Sequence, residues 1–357
     1  MSPRLSFVLS SLWLSGGVLL VVEYANRLAR RGWQVTLVTP KDTLDPAVQA
    51  LLADPRMIRE SALSLPKQRS PQALLALARA LSRAIPASDI IVATHTPTVV
   101  PVQWASRWDK KGRRVWLYMD YPEMFRARPM ERALLHYAPA WFESIATISQ
   151  PLSEAVRPHA RCPVVMTGSG VRRPDLFRPP AEPRHRHLPA RILYVGDERP
   201  RKGMREVLQA VAQVRRVLPD VLLVIASKMP CSFDLTIPHE FHLCPSDETL
   251  ARLYQTSEVL VSASWGEGLG YPPMEAMACG TPVVLTNSQG VLDYARNGEN
   301  CLLVPPQDAP AIERALLQVL TDPALAQRLA QQGPEITRRY SWDSAVERFE
   351  AAVKPLL

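Results

Sequence analysis

The chain of 357 residues is short of cysteine, and the five it has, Cys162, Cys231, Cys244, Cys279 and Cys301, are scattered, odd in number and without a CxxC pair. That usage excludes a zinc finger and a disulfide framework, and fits a reducing cytoplasm. There is no run of interleaved aromatic and basic residues and no basic heptad repeat, so nucleic acid is not an expected partner. No GxGxxG follows the first apolar run, and Thr39-Pro40 rather than an acidic residue close the second, which excludes a dinucleotide-dependent dehydrogenase. A convincing membrane span is missing too. The longest stretch without charge, "LSFVLSSLWLSGGVLLVV" from Leu5 to Val22, has 18 residues, but serines and Gly16-Gly17 interrupt it. It continues into "VVEYANRLARRG", with Val21, Tyr24, Ala25 and Leu28 on one side of a helix, and so reads as strand, loop and helix.

What is present is a globular composition, 47% hydrophobic and 21% charged, with a net charge of +8. The charge is uneven: residues 1–180 hold 24 Lys and Arg against 13 Asp and Glu, whereas residues 181–357 hold 18 against 21. A basic first half suits an anionic acceptor or a phospholipid surface, and so a peripheral position at the inner face of the cell membrane.

The length predicts two domains. In the first half, "WQVTLVTP" stopped by Pro40, "DIIVAT", "RRVWLYM", "SIATIS" and "PVVMTGSGV" read as strands with helical stretches between them, "PQALLALARALSRA" among these. Near residues 177–191 the chain turns to "FRPPAEPRHRHLPAR", rich in proline and charge, and reads as a linker. The alternation then resumes with "RILYVG", "GMREVLQAVAQVRRVLP", "DVLLVIA", "EFHLC", "SDETLARLYQTS" and "EVLVSAS". The expected fold is α/β, two Rossmann-like doubly wound domains in tandem: residues 1–178, a linker over 179–190, residues 191–340, and a final helix over 341–357 that crosses back to the first domain. Ligands of such sheets bind beyond the carboxyl ends of the strands, which puts the expected site in a cleft between the domains.

The segment "SASWGEGLGYPPMEAMACGTPVV", Ser262 to Val284, concentrates the chemistry. Gly266, Gly268 and Gly270 let backbone come close to a ligand, Pro272-Pro273 mark the opening of a helix, and Gly280 suits its end. Glu275 is then expected in the first turn of that helix. Two carboxylates, Glu267 and Glu275, flank a loop of exposed amides, an arrangement that can accept hydrogen bonds from the hydroxyls of a ribose or a sugar.

This segment resembles the E-x7-E signature of family-four retaining glycosyltransferases of the GT-B fold, with Glu267 and Glu275 as its glutamates and "AMACGTPVV" in near-consensus form. The resemblance extends through "NGENCLLVPPQD" and, more loosely, over the first half. It implies a retaining transfer of a hexosyl group from a nucleotide diphosphate sugar, a UDP- or GDP-sugar, to the hydroxyl of a glycan, a lipid-linked acceptor or a small molecule. It also implies that Glu275 holds the ribose, and that Glu267, Gly268, Leu269 and Gly270 meet the donor sugar. "YVGDERPRKGM" matches the basic pair that neutralises the donor diphosphate, at Arg201 and Lys202, with Asp197 where many members carry arginine and Arg199 as a substitute. Gly16 and Gly17 match the glycine loop that covers the donor, and His95 of "VATHTP" the histidine near the sugar. Leu243 and Cys244 are expected near the base, and Asp120 and Glu123 near the acceptor. No cofactor and no divalent metal is expected, because the cations do the neutralising and no DxD-like pair ends a strand. Other readings are a nucleotide-sugar epimerase or phosphorylase on the same scaffold, and a non-catalytic nucleotide-sugar-binding protein.

Overall fold

The computed structural model describes residues 2–357 apart from 69, 126–127, 183–187 and 234–235. It divides into two compact units, Met1–Ser169 with Trp342–Leu357, and Gly170–Ser341. Residues 183–187 of the expected linker lie outside the described residues.

In the first unit the strands are β1 (Arg4–Val8), β2 (Gln34–Lys41), β3 (Ile58–Ser64), β4 (Ile90–Ala93), β5 (Arg113–Tyr118), β6 (Ser144–Thr147) and β7 (Val164–Met166). They pair in parallel in the order β3-β2-β1-β4-β5-β6-β7. The order reverses between β1 and β4, so the loops leaving these two strands part to opposite faces and leave a crevice at their carboxyl ends. The charge-free run resolves into β1, a loop and the helix Gly16–Arg30. Among the described residues no helix is long and apolar enough to cross a membrane. Pro40 does not stop β2 but lies inside it, at a shift of register against β3. A proline can sit there because the ladder is already broken at that residue.

The helix Trp342–Val353 belongs to the same unit. Its Phe349 lies 5.2 Å from the Tyr24 ring, Trp342 meets Tyr24 edge-on at 5.4 Å, and Glu350 accepts 2.7 Å and 3.0 Å hydrogen bonds from Trp33 Nε1 and Arg31 Nε.

In the second unit the strands are β8 (Ala190–Val195), β9 (Val221–Ser227), β10 (His239–Leu243), β11 (Val259–Ser262), β12 (Val283–Thr286) and β13 (Leu302–Val304). All pair in parallel, in the order β10-β9-β8-β11-β12-β13, and the order reverses between β8 and β11. Alternate residues of β8, β9 and β11 (Ile192, Tyr194, Leu223, Ile225, Val259 and Val261) pack one face of the sheet against the helices Met204–Val217 and Ala309–Thr321. The break between the units falls at Ser169/Gly170, earlier than residue 178. The reason is that Arg172 and Phe177 are tied into the second unit, Arg172 by ion pairs to Asp247 and Glu275, and Phe177 by its ring 5.8 Å from that of Tyr254.

Candidate functional site

In each unit some of the candidate residues follow the strands that flank the point of reversal, Gly16, Gly17 and His95 after β1 and β4, and Arg199, Arg201, Lys202 and Glu267 after β8 and β11. In the first unit, Ser15 caps the helix Gly16–Arg30 by accepting from Val18 N, so Gly16 and Gly17 form the helix's first turn rather than a covering loop. Gly17 is closely covered: a Cβ there would lie 2.8 Å from His95 Nε2 and 3.1 Å from Met119 Sδ, so a side chain would make the imidazole shift. His95, which follows β4, therefore stands directly against the helix N-terminus. Burial pulls the His95 imidazole below its usual range, against the opposing charge of Asp120. Asp120 Oδ2 accepts from Thr96 N and Thr96 Oγ1 at 3.0 Å and 2.8 Å, which fixes the turn after His95. Glu123 is exposed on the turn Pro122–Phe125.

In the second unit the loop after β8 meets the loop after β11. The turn Pro200–Lys202 ends at Gly203, which takes a left-handed φ of 71° and lies so close to β11 that a Cβ would meet Ala263 O at 2.1 Å. Trp265 N donates to Arg201 O at 2.8 Å. These two approaches bring Lys202 Nζ to 2.5 Å from Glu267 Oε1. Burial works to raise the Glu267 carboxyl, but the charges of Lys202 and Arg201 and hydrogen bonds from Lys202 and Ser264 outweigh it and hold the group below the usual carboxylate range. Gly203→Ala is expected to strain the left-handed turn and collide with the Ala263 carbonyl, lowering stability by about 3 kcal/mol. Thermal melts of the variant test this, and an unchanged melting temperature would contradict the close approach.

Asp197, where the resemblance leads one to expect a cation, is buried and grips Arg199 through two 2.6 Å hydrogen bonds. Burial acts to raise its carboxyl, and Arg199 pulls it below the usual range. Arg199 is thus held by a neighbour two residues away, while Arg201 and Lys202 remain on the turn itself.

The loop Glu267–Gly270 is braced from behind. Glu267 N donates to Ser288 O at 3.2 Å, Gly290 N donates to Glu267 O at 3.0 Å, and a Cβ at Gly290 would fall 2.0 Å from Gly268 O. Leu269 is buried, and Gly270, with φ 83°, caps the helix Tyr271–Ala278 while its carbonyl accepts from Tyr294 OH at 2.9 Å. That helix closes in a Schellman motif, with Gly280 N on Met277 O and Thr281 N on Ala276 O.

Glu275 is not in the first turn of this helix, which contains no acidic residue, but one turn further in. The helix starts at Tyr271, ahead of the proline pair. Its carboxylate is 2% exposed and is occupied on both oxygens, by Arg172 Nε and Tyr254 OH, each at 3.1 Å. Burial raises its pKa above the usual carboxylate value, against the pull of Arg172 and Tyr254. Arg172 also binds Asp247 at 2.9 Å. Leu243, 52% exposed, and Cys244, with φ 47°, lie at the end of the edge strand β10, where Cys244 N donates to Ser227 O at 2.7 Å.

The structure therefore joins Lys202 to Glu267, Arg199 to Asp197, and Gly17 to His95. Cys244 Sγ donates to Lys228 O at 3.4 Å, in the loop that follows β9. Sequence reasoning missed Arg172 and Tyr254, whose only signal is that a buried glutamate needs partners. Among the described residues no three His, Cys, Asp or Glu side chains converge to hold a metal ion.

Residues 14–171 match the model of Glycosyltransferase Family 4, and residues 180–336 that of Glycosyl transferases group 1. The putative glycosyltransferase EpsD of Bacillus subtilis (strain 168) is 26% identical over 361 residues, covering 92% of this chain and 91% of EpsD. Glycogen synthase and D-inositol 3-phosphate glycosyltransferase relatives match over less than half of their own length. Sucrose-phosphate synthase from Thermosynechococcus elongatus superimposes with a TM-score of 0.81 over 99% of both chains at 21% identity. HepE of Anabaena in complex with UDP-glucose does so with 0.77 over 99% of this chain and 100% of HepE at 16% identity. With two doubly wound parallel sheets and a family match across each half, the chain belongs to the family-four, group 1 glycosyltransferases of the GT-B fold.

Proposed function

We propose that the protein is a retaining hexosyltransferase that moves a hexosyl group from a UDP- or GDP-sugar to an acceptor hydroxyl, without a divalent metal. The observation that carries this reading is the Lys202–Glu267 pair at the reversal of the second sheet, beside Arg199 and Arg201. The transition state separates positive charge on the sugar from negative charge on the departing diphosphate, and fixed cations there stabilise the leaving group more than the bound donor. The bond from the anomeric carbon to the β-phosphate oxygen breaks, the leaving phosphate oxygen takes the acceptor's proton, and the new glycosidic bond forms on the same face.

In this reading the amides of Gly268, Leu269 and Gly270 with Glu267 hold the sugar. Glu275 exchanges its hydrogen bond from Tyr254 for one from a ribose hydroxyl while Arg172 keeps it charged, and Leu243 and Cys244 border the base. In the first unit, His95 and the helix start at Gly16 and Gly17 are assigned to the sugar end of the substrates. Asp120 and Glu123 are assigned to the acceptor, a glycan, lipid-linked or small molecule. The basic first half favours an acceptor that is anionic or presented at an anionic membrane surface.

The test is a thermal-shift panel of UDP, GDP, ADP and dTDP, followed by determination of the product's anomeric configuration by NMR. The cognate diphosphate at a hundred times its Kd stabilises the fold by about 2.7 kcal/mol. Absence of a shift with all four, or a product of inverted configuration, would overturn the reading.

A further inference from the structure

Gln289, on the turn after β12, carries two unfavourable features that no step described so far uses. Its φ of 52° and ψ of −83° lie in a region that favours glycine and strains a residue with a side chain. Its Oε1 is buried and has no hydrogen-bond partner among the described residues. Proteins rarely leave a desolvated polar atom in that state, and where one does occur it calls for an explanation. Among the described residues, the other non-glycine positions at positive φ, Asp42, Lys110, Cys244 and Gln307, combine it with no such atom.

Both features stand against the loop that holds the donor sugar in the proposed reaction. Gln289 and Glu267 form a parallel β-bridge, in which Glu267 N donates to Ser288 O at 3.2 Å and Gly290 N to Glu267 O at 3.0 Å. The same residue also starts the turn Gly290–Asp293, with Leu292 N donating to its carbonyl at 3.0 Å. The chain cannot relax by moving the next residue outward or inward, since Gly290 is packed so closely that a Cβ on it would fall 2.0 Å from Gly268 O and 2.5 Å from Glu267 O. A backbone that completes the bridge and turns at once is thus held at positive φ, where glycine would sit without strain. Glutamine in its place sets a carboxamide on the residue paired with Glu267.

Resting on the donor reading above, we propose that Gln289 is a specificity-determining residue for the donor sugar, its carboxamide oxygen accepting a hydrogen bond from a hydroxyl of the hexosyl group. The side chain as a whole is partly exposed, and rotation of its torsions between staggered wells carries the carboxamide outward as one group. There the sugar hydroxyl donates the hydrogen bond that the folded chain does not supply. The exchange favours the complex twice over, because the oxygen is unpaired in the free protein and paired in the bound one. A sugar without a hydroxyl at that place leaves the oxygen unpaired in both states and is selected against.

Calorimetry on the full chain measures Kd for UDP, GDP, UDP-glucose, UDP-galactose and GDP-mannose, for wild type, Gln289→Met and Gln289→Gly, alongside thermal melts of the same proteins. Gln289→Met keeps the length of the side chain and the backbone strain and loses only the carboxamide, whereas Gln289→Gly loses both the carboxamide and the strain. Each variant is expected to bind the nucleotide sugar that wild type holds most tightly about tenfold more weakly, the loss of one hydrogen bond, with the Kd for the nucleotide alone unchanged. Gln289→Gly is also expected to melt about 2–4 °C above wild type. A residue that only shapes the turn would move the melting temperature without separating nucleotide sugar from nucleotide. The Gln289 assignment is wrong, and the donor reading stands, if Gln289→Met keeps wild-type affinity for the nucleotide sugar, if either variant weakens nucleotide and nucleotide sugar alike, or if Gln289→Gly melts no higher than wild type. If wild type binds none of these ligands, both fall.

Discussion

Replacing Arg172 with alanine is expected to lower the free energy of unfolding by about 3 kcal/mol, because a buried ion pair that loses one partner leaves an uncompensated charge. Glu275 is 2% exposed, and its remaining hydrogen bond, from Tyr254 at 3.1 Å, carries no charge to balance it. Asp247 loses the same guanidinium but is partly exposed, so water covers much of that loss. Adding Glu275→Gln to Arg172→Ala should recover most of the stability, since the amide removes the buried charge and still accepts from Tyr254. Urea unfolding of the two single variants and the double variant measures this coupling. The pH dependence follows from the direction of the Glu275 shift. Its folded-state pKa is raised, so its contribution is most favourable below the unfolded value and declines as the pH rises through the folded one. Removing Arg172 takes away the main charge that lowers this pKa. The variant should therefore be penalised less near about pH 4 than near pH 7. A loss below about 1 kcal/mol at pH 7, or one that does not change with pH, would mean that Glu275 is not held as a buried anion.

The same pair shows where sequence reading stops. The strands at the centre of each sheet are legible because both faces are covered and their apolar runs are continuous, as in β4, β9 and β11. The edge strand β3, "IRESALS", carries a polar run with one buried residue and gives no such signal. The glycine loop from Glu267 to Gly270 is legible because glycines that permit close backbone approach are rare and grouped. The partners of Glu275 are not, since Arg172 lies 103 residues before it and Tyr254 21 before it, and nothing local to either marks the contact.

Asp197 is instructive in another way. In the string "YVGDERPRKGM" it looks like a missing cation, and only the fold shows that it clamps Arg199. Likewise Arg201, Lys202 and Glu267 can each be named from the sequence. That Lys202 binds Glu267, 65 residues away, depends on β8 and β11 being neighbours, which is decided by the order of the sheet rather than by either segment.

That ion pair carries the second large effect. Lys202→Ala is expected to lower kcat about 100- to 1,000-fold, the usual consequence of removing one preorganised donor to a developing anion, with a smaller change in the KM for donor. Lys202 has two separable tasks in the structure: it fixes the Glu267 carboxylate, and in the proposed reaction it takes up charge on the departing diphosphate. A glycosyl fluoride separates them, because fluoride leaves without a diphosphate to neutralise while the sugar still needs Glu267 and its loop. If the charge on the leaving group is the main task, the gap between wild type and Lys202→Ala should narrow at least tenfold with the fluoride donor. Glu267→Gln, which keeps the shape of the side chain and loses its charge, should be impaired with both donors alike. An equal deficit of Lys202→Ala with both donors would instead make Lys202 a residue that positions the Glu267 loop, and would move the neutralising charge to Arg201.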